Sequence, residues 1–302
     1  MKKHVLLPAA AISLFSCLAA YLILSDSDVY AQRARTSGPS VTKTASGTKA
    51  YDRRFEFGKA AAENARLRNS LQWTFGGKAQ NGWNIYVPLI SDTIGTESGP
   101  DSAEFAFAIS KWQGRSGLAS TGVLDRDTLE SFTKYWQSQR LGRAGLSSTD
   151  SLLVAPIGEF FDPTRSPDLL QLERETYAAY KRMIAAAAKD LLRELKITNS
   201  GGLASDEKFL RIISAYRSPE YQESLRKKEP NAGRAALAVN SPHSTGHALD
   251  IYVGGEPVKT LDSNRLVQIQ TPAYKWLVKN ARRFGFYPYF YEPWHWEYVP
   301  NK

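Results

Sequence analysis

A single cysteine, Cys17, occurs among 302 residues. It lies inside an apolar leader, so neither a disulfide framework nor a cysteine-rich metal site can organise the rest of the chain. Any transition metal must then be held by histidine and carboxylate, a ligand set that suits an open coordination position better than a closed structural site. Histidine is scarce as well: four are present, and outside the leader these are His243, His247 and His295. Clustered bases are missing too. The chain has 39 Lys+Arg against 30 Asp+Glu and a net charge of +9, which favours polyanionic surroundings. No arginine-rich helix and no long basic run accompanies that charge, which argues against nucleic acid and leaves an anionic wall as the surface that fits.

The length allows two compact domains of roughly 100–150 residues and a leader. Residues 1–31 read as a basic start (Lys2, Lys3, His4), an apolar stretch from Val5 to Leu24, and a polar end at Val29-Tyr30-Ala31. That order is a secretory signal with Ala31 as cleavage residue, or an uncleaved membrane anchor over residues 5–24. Either places the remainder outside the cytoplasm, in a periplasm or cell envelope. Lipidation at Cys17 fits less well, because Phe15 is bulky and the apolar run continues past the cysteine. Residues 32–50 are Ser, Thr, Gly and basic, with little to bury, and read as a flexible linker. Residues 51–81 receive no function: Lys59 to Asn69 is helical in pattern, and Leu71 to Phe75 alternates like a strand before Gly76-Gly77.

Residues 82–140 form a small three-helix pattern. Ser102 is placed to cap a helix carrying Phe105, Ala108, Ile109 and Trp112 on one face, and Asp125 or Asp127 opens the next. The run Ala106-Phe107-Ala108-Ile109-Ser110-Lys111-Trp112-Gln113, then Gly117-Leu118, Thr121-Gly122-Val123-Leu124-Asp125 and Thr128-Leu129, resembles the peptidoglycan-binding module of many wall hydrolases. Taken singly, each of these residues reads as core. A Pro-containing linker, Ala155 to Pro167, leads to a long amphipathic helix expected from Asp168 to Lys196. Beyond it the pattern alternates: an apolar run Phe209 to Ala215, a helix Pro219 to Lys228, a strand His247 to Val253, a helix Thr271 to Phe284, and an aromatic close. Residues 155–302 are therefore expected to form an α+β domain, a small antiparallel sheet flanked by helices.

The three remaining histidines fall in two short segments beside Asp250 and Glu292. If His247 onward is extended, Ala248 and Asp250 share one face, while His247, Leu249 and Ile251 share the other. His243 is thus the better partner for Asp250, folding back across Ser244-Thr245-Gly246, with small Ala248 leaving room. In the second segment Pro293 cannot donate to a sheet ladder, so the strand begins after it and Glu292 sits in the turn before. In an unbroken strand Glu292 and His295 would face opposite ways; with the turn, both can approach one ion. Trp294 and Trp296 read as core.

The pattern Ser-x-His, two residues, Gly-x-Ala-x-Asp, then Glu-x-x-His in a Trp-flanked strand, spans roughly Leu210 to Tyr298. It resembles the zinc D-alanyl-D-alanine carboxypeptidases and dipeptidases, including the VanY-like, vancomycin-resistance type. The resemblance implies His243, Asp250 and His295 as Zn2+ ligands and Glu292 as catalytic base. Ser214-Ala215-Tyr216-Arg217-Ser218 with Gln222 is similar to the family segment that supplies a substrate-binding arginine, here Arg217, and Ser241 to a serine near the substrate's terminal carboxylate. Two neutral imidazoles and one carboxylate leave zinc a net positive charge that acidifies water and polarises a carbonyl. The implied activity is hydrolysis of the terminal peptide bond of peptidoglycan stem peptides. Alternatives are an endopeptidase cutting a D,D or L,D bond, and a non-catalytic wall-binding protein. The aromatic stretch Tyr287 to Tyr291 is shorter than the loop that relatives often carry there, which leaves substrate preference open.

Overall fold

Glycines at positions 76 and 77 both adopt positive φ, 57° and 79°, the geometry that closes a two-residue hairpin. They join β1 (Gln72–Phe75) to β2 (Lys78–Asn81), antiparallel, directly after the long helix α1 (Thr44–Ser70). The structure, a computed structural model, describes residues 44–142, 149–228 and 241–300. The leader and most of the expected linker lie outside the described residues. The linker's end belongs to α1: a polar stretch has no face to bury, but extending a helix already nucleated by packed turns around Phe57 and Ala61 is cheap. Among the described residues no helix is long and apolar enough to cross a membrane.

From residue 48 onward the described residues form one compact unit. Helices α2 (Val87–Ile94), α3 (Ala103–Arg115) and α4 (Arg126–Gln139) occupy the region expected to be helical. Ser102 caps α3 by accepting from the Phe105 N–H at 3.1 Å, and Asp125, not Asp127, caps α4 through the Thr128 N–H at 2.9 Å. Gln113, the glutamine of the wall-module pattern, is buried and acts as an internal staple. Its amide donates to Val123 O and Thr128 Oγ1, and its carbonyl accepts from Gly122 N–H, all near 2.9 Å. Buried Asn64 of α1 clasps the same turn, donating to Gly122 O and accepting from Leu124 N–H.

After β3 (Leu152–Val154), a 3-10 turn at Pro167–Leu169 leads into β4 (Gln171–Glu173), which pairs antiparallel with β3. The expected helix from Asp168 therefore begins later, as α5 (Arg174–Asp190), capped by Glu173 accepting from the Thr176 N–H. Strand pairing claims residues 171–173 before the helix can, and past Asp190 the chain winds on as turns, with Leu195 N–H bonded to Leu191 O.

The remaining elements are β5 (Ile212–Ser214), α6 (Pro219–Lys228), β6 (Ala248–Ile251), α7 (Asp262–Gln268), α8 (Pro272–Asn280), β7 (Phe286–Pro288) and β8 (His295–Tyr298). Strands β5, β6, β8 and β7 lie side by side in that order as one antiparallel sheet. An α+β architecture is thus observed. One continuous apolar core runs from Trp83, Phe105 and Trp136 through Tyr180 to Trp294 and Trp296. Phe290 joins its two halves, packing on Phe75, Tyr86 and Trp136 with ring centroids 4.7, 5.5 and 5.8 Å away.

Candidate metal centre

Asp250 occupies the middle of three strands: it is in register with Ser214 of β5 on one side and with His295 of β8 on the other. Alternation along β6 and β8 then places Asp250, His295 and Glu297 on a common face, with Leu249 and Trp296 turned to the core. Ala248 is the cross-strand partner of Glu297, so the room its small side chain leaves adjoins that carboxylate.

His243 arrives from a 3-10 turn, Pro242–Thr245. Ser241 caps this turn, its hydroxyl accepting from the His243 N–H at 3.4 Å, and Gly246 closes it with its N–H on His243 O at 3.1 Å. Gly246 has φ +71°, and a Cβ there would sit 2.8 Å from the Glu173 nitrogen, so no larger residue fits without moving the turn. His247 points away, as strand alternation requires. Its Nδ1 lies 2.9 Å from Thr176 Oγ1 and 3.7 Å from Glu173 Oε2.

The three expected ligands converge: one donor atom from each of His243, Asp250 and His295 lies within 4.8 Å of the others. His243 Nε2 is 3.2 Å from His295 Nδ1 and 3.3 Å from Asp250 Oδ1, and His295 Nδ1 is 3.0 Å from Asp250 Oδ1. The far ring nitrogens are held from behind. His243 Nδ1 is 2.6 Å from Ala215 O, and His295 Nε2 is 3.0 Å from Glu297 Oε1. A carbonyl and a carboxylate can only accept, so those nitrogens carry protons and the opposite ones face the cluster. Three electron-rich atoms this close call for a positive charge among them, and the donor set fits a divalent cation.

The titration of the metal-free groups reflects that demand. Burial holds His243 down to about 4, reinforced by the Arg217 charge. Burial also opposes protonation of His295, but hydrogen bonds to Asp250 and Glu297 outweigh it and lift this imidazole to about 9. For Asp250 burial works upward, yet His243 and Arg217 hold the carboxyl well below its usual range.

Glu292 follows the tight turn Tyr289 to Glu292, its N–H on Tyr289 O at 3.1 Å, and its own carbonyl accepts from the His295 N–H at 2.9 Å. Pro293 does separate it from β8. Burial pushes its carboxyl up to about 8, and among the charges acting on it are those of His295, Asp250 and Arg217. Arg217, 9% exposed, is held by two of its nitrogens: it pairs with Asp250 through Nη2 and donates from Nε to Ser214 Oγ at 2.9 Å. Gln222 lies on α6, buried, its N–H bonded to Ser218 O.

Sequence reasoning passed over Glu297, which is fully buried and held at about 2: burial opposes its ionisation, but His295 and Arg140 prevail. The signal was available, since a strand that turns Trp294 and Trp296 inward must turn His295 and Glu297 to the same opposite face.

The family model described as D-alanyl-D-alanine carboxypeptidase, VanY, matches residues 169–301. A solved structure of the LdcB LD-carboxypeptidase, described as revealing the molecular basis of peptidoglycan recognition, is 26% identical. It covers 54% of this chain and 73% of that chain, with a TM-score of 0.35. No curated protein matches the chain. The converging residues His243, Asp250 and His295 and the turn bearing Glu292 all lie in the segment that the VanY family model matches.

Proposed function

We propose that the protein is a zinc-dependent D-alanyl-D-alanine carboxypeptidase that removes the terminal residue from peptidoglycan stem peptides, exported to the cell envelope. The observation that carries this reading is the buried convergence of His243, Asp250 and His295 inside the matched domain, with Glu292 close enough to feel their charges. A zinc ion held by the three would acidify water and polarise the scissile carbonyl.

The chain's own residues supply the rest. Glu292, with a carboxyl raised to about 8 by burial, takes the proton from the attacking water and delivers it to the departing amine, a role that needs a pKa near the working pH. Arg217 is oriented by Ser214 and Asp250 through Nε and Nη2, and in this reading its Nη1 serves the oxygen on which negative charge develops. Asp250 is held ionised by that same arginine and by His243. Ser241 and Gln222 face the terminal carboxylate end of the substrate in this assignment. The helical segment 82–140 holds the enzyme on the wall.

Purified protein should contain stoichiometric zinc and release free D-alanine from a muramyl pentapeptide. Conversion of muropeptide dimers to monomers with no free D-alanine would replace the carboxypeptidase with an endopeptidase. Zinc binding without cleavage of any muropeptide would leave a wall-binding protein and overturn the proposal.

A further inference from the structure

Both oxygens of the Glu297 carboxylate are occupied by two consecutive residues that lie outside the matched domain. Helix α4 ends at Gln139, and next in the chain Arg140 donates from Nε to Glu297 Oε1 at 3.0 Å and pairs with it again through Nη2. The Leu141 N–H donates to Glu297 Oε2 at 3.1 Å. Arg140 is itself fixed: Nη1 donates to Gln137 Oε1 at 2.5 Å, and the guanidinium lies 4.1 Å from the centre of the Tyr289 ring, over its face. The edge of that arrangement meets the metal centre, because the Tyr289 and His295 rings stand near-perpendicular with centroids 5.8 Å apart.

The far end of Glu297 is the imidazole. Oε1, the oxygen gripped by Arg140, is also the acceptor for His295 Nε2 at 3.0 Å. A carboxylate behind a ligating histidine sets its tautomer and ring orientation. A carboxylate free to rotate cannot. Among the described residues the basic side chains paired with Glu297 are Arg140 and His295, so no described residue of 169–301 takes the arginine's place. We infer that Arg140 is a positioning residue for the metal centre: it locks the Glu297 carboxylate so that His295 keeps Nδ1 turned to His243 and Asp250, and the helical segment thereby sets the affinity of the site for its metal. This rests on the metal-binding role proposed above.

Zinc affinity decides it, measured on the full chain by competition with a chromophoric chelator at fixed pH, with circular dichroism to confirm folding. Arg140→Leu should weaken zinc binding by about 10- to 100-fold. Arg140→Lys should recover part of that loss, since the charge returns without the planar fork. The visible spectrum of the cobalt-loaded protein should change in Arg140→Leu and return toward wild type in Arg140→Lys. Should Arg140→Leu fail to fold, Glu297→Gln carries the same test with a smaller expected loss, because an amide can still accept from His295 but no longer grips the arginine; affinity equal to wild type would overturn the inference. Wild-type protein that takes up no zinc would remove the metal-binding role and the inference with it. Normal loading of wild type with equal affinity in Arg140→Leu would remove the inference alone, as would a loss that Arg140→Lys does not lessen.

Discussion

Asp250 and His295 are cross-strand partners in β6 and β8, with Oδ1 and Nδ1 3.0 Å apart. The pair is built by sheet register and not by loops, and a register shift by one residue would turn both side chains to the opposite face. Arg217 closes the other side of Asp250, so this carboxylate serves the candidate metal and neutralises a buried cation at once.

Asp250→Ala should therefore cost more than a ligand. In chelator-treated protein it leaves Arg217 buried without its partner, and the loss of stability should be about 3 kcal/mol or more. Urea unfolding measures this, and metal analysis should find no zinc retained. A variant as stable as wild type would show that the pair contributes nothing to the fold.

Glu292→Gln should keep zinc and lower turnover by at least about 100-fold. It should also change stability with pH in a direction the burial of this group dictates. The folded carboxyl titrates at about 8 and the unfolded one near its ordinary 4.5, so the folded state binds the extra proton between them. Stability from this group is full below pH 4.5, falls as pH rises toward 8, and is flat above. The glutamine variant has no such slope, so its advantage over metal-free wild type should grow across that window to an order of a few kcal/mol. Denaturant midpoints of chelator-treated protein at pH 5 and pH 8 would give the two ends; an advantage that shrinks with pH would contradict the buried assignment.

Phe290→Ala should destabilise the protein by about 3 to 5 kcal/mol, as expected for a buried aromatic. Because Phe290 anchors the Glu292 turn to Phe75, Tyr86 and Trp136, kcat should fall further than KM rises. An unchanged kcat in folded protein would separate this anchor from the chemistry.

Gly246→Ala places a side chain at φ +71° and 2.8 Å from the Glu173 nitrogen. A cost of at least about 2 kcal/mol is expected, together with weaker zinc binding as the His243 turn shifts. Thermal melts with and without zinc would show both effects, and a wild-type melting temperature would refute the requirement for glycine.

Much of the candidate centre was legible in the sequence, since the rules involved act over a few residues. Strand alternation separates Asp250 from His247 and selects His243, and a proline that cannot donate to a ladder places Glu292 in a turn ahead of His295. Side-chain chemistry marks Ser102 as a helix cap and narrows the next cap to Asp125 or Asp127, of which the structure selects Asp125. Where a distant segment competes, local pattern fails: residues 168–173 carry a helical pattern, yet β3 draws 171–173 into a strand.

Which residues share a face around Asp250 and His295 follows from local pattern, because periodicity and backbone chemistry act between near neighbours in the chain. What stands behind them depends on long-range packing. Arg140 and Glu297 lie 157 positions apart, and Phe75 meets Phe290 across a longer span still. No spacing encodes such partners; they meet because one continuous core brings the helical segment against the sheet, where a buried carboxylate must find a cation.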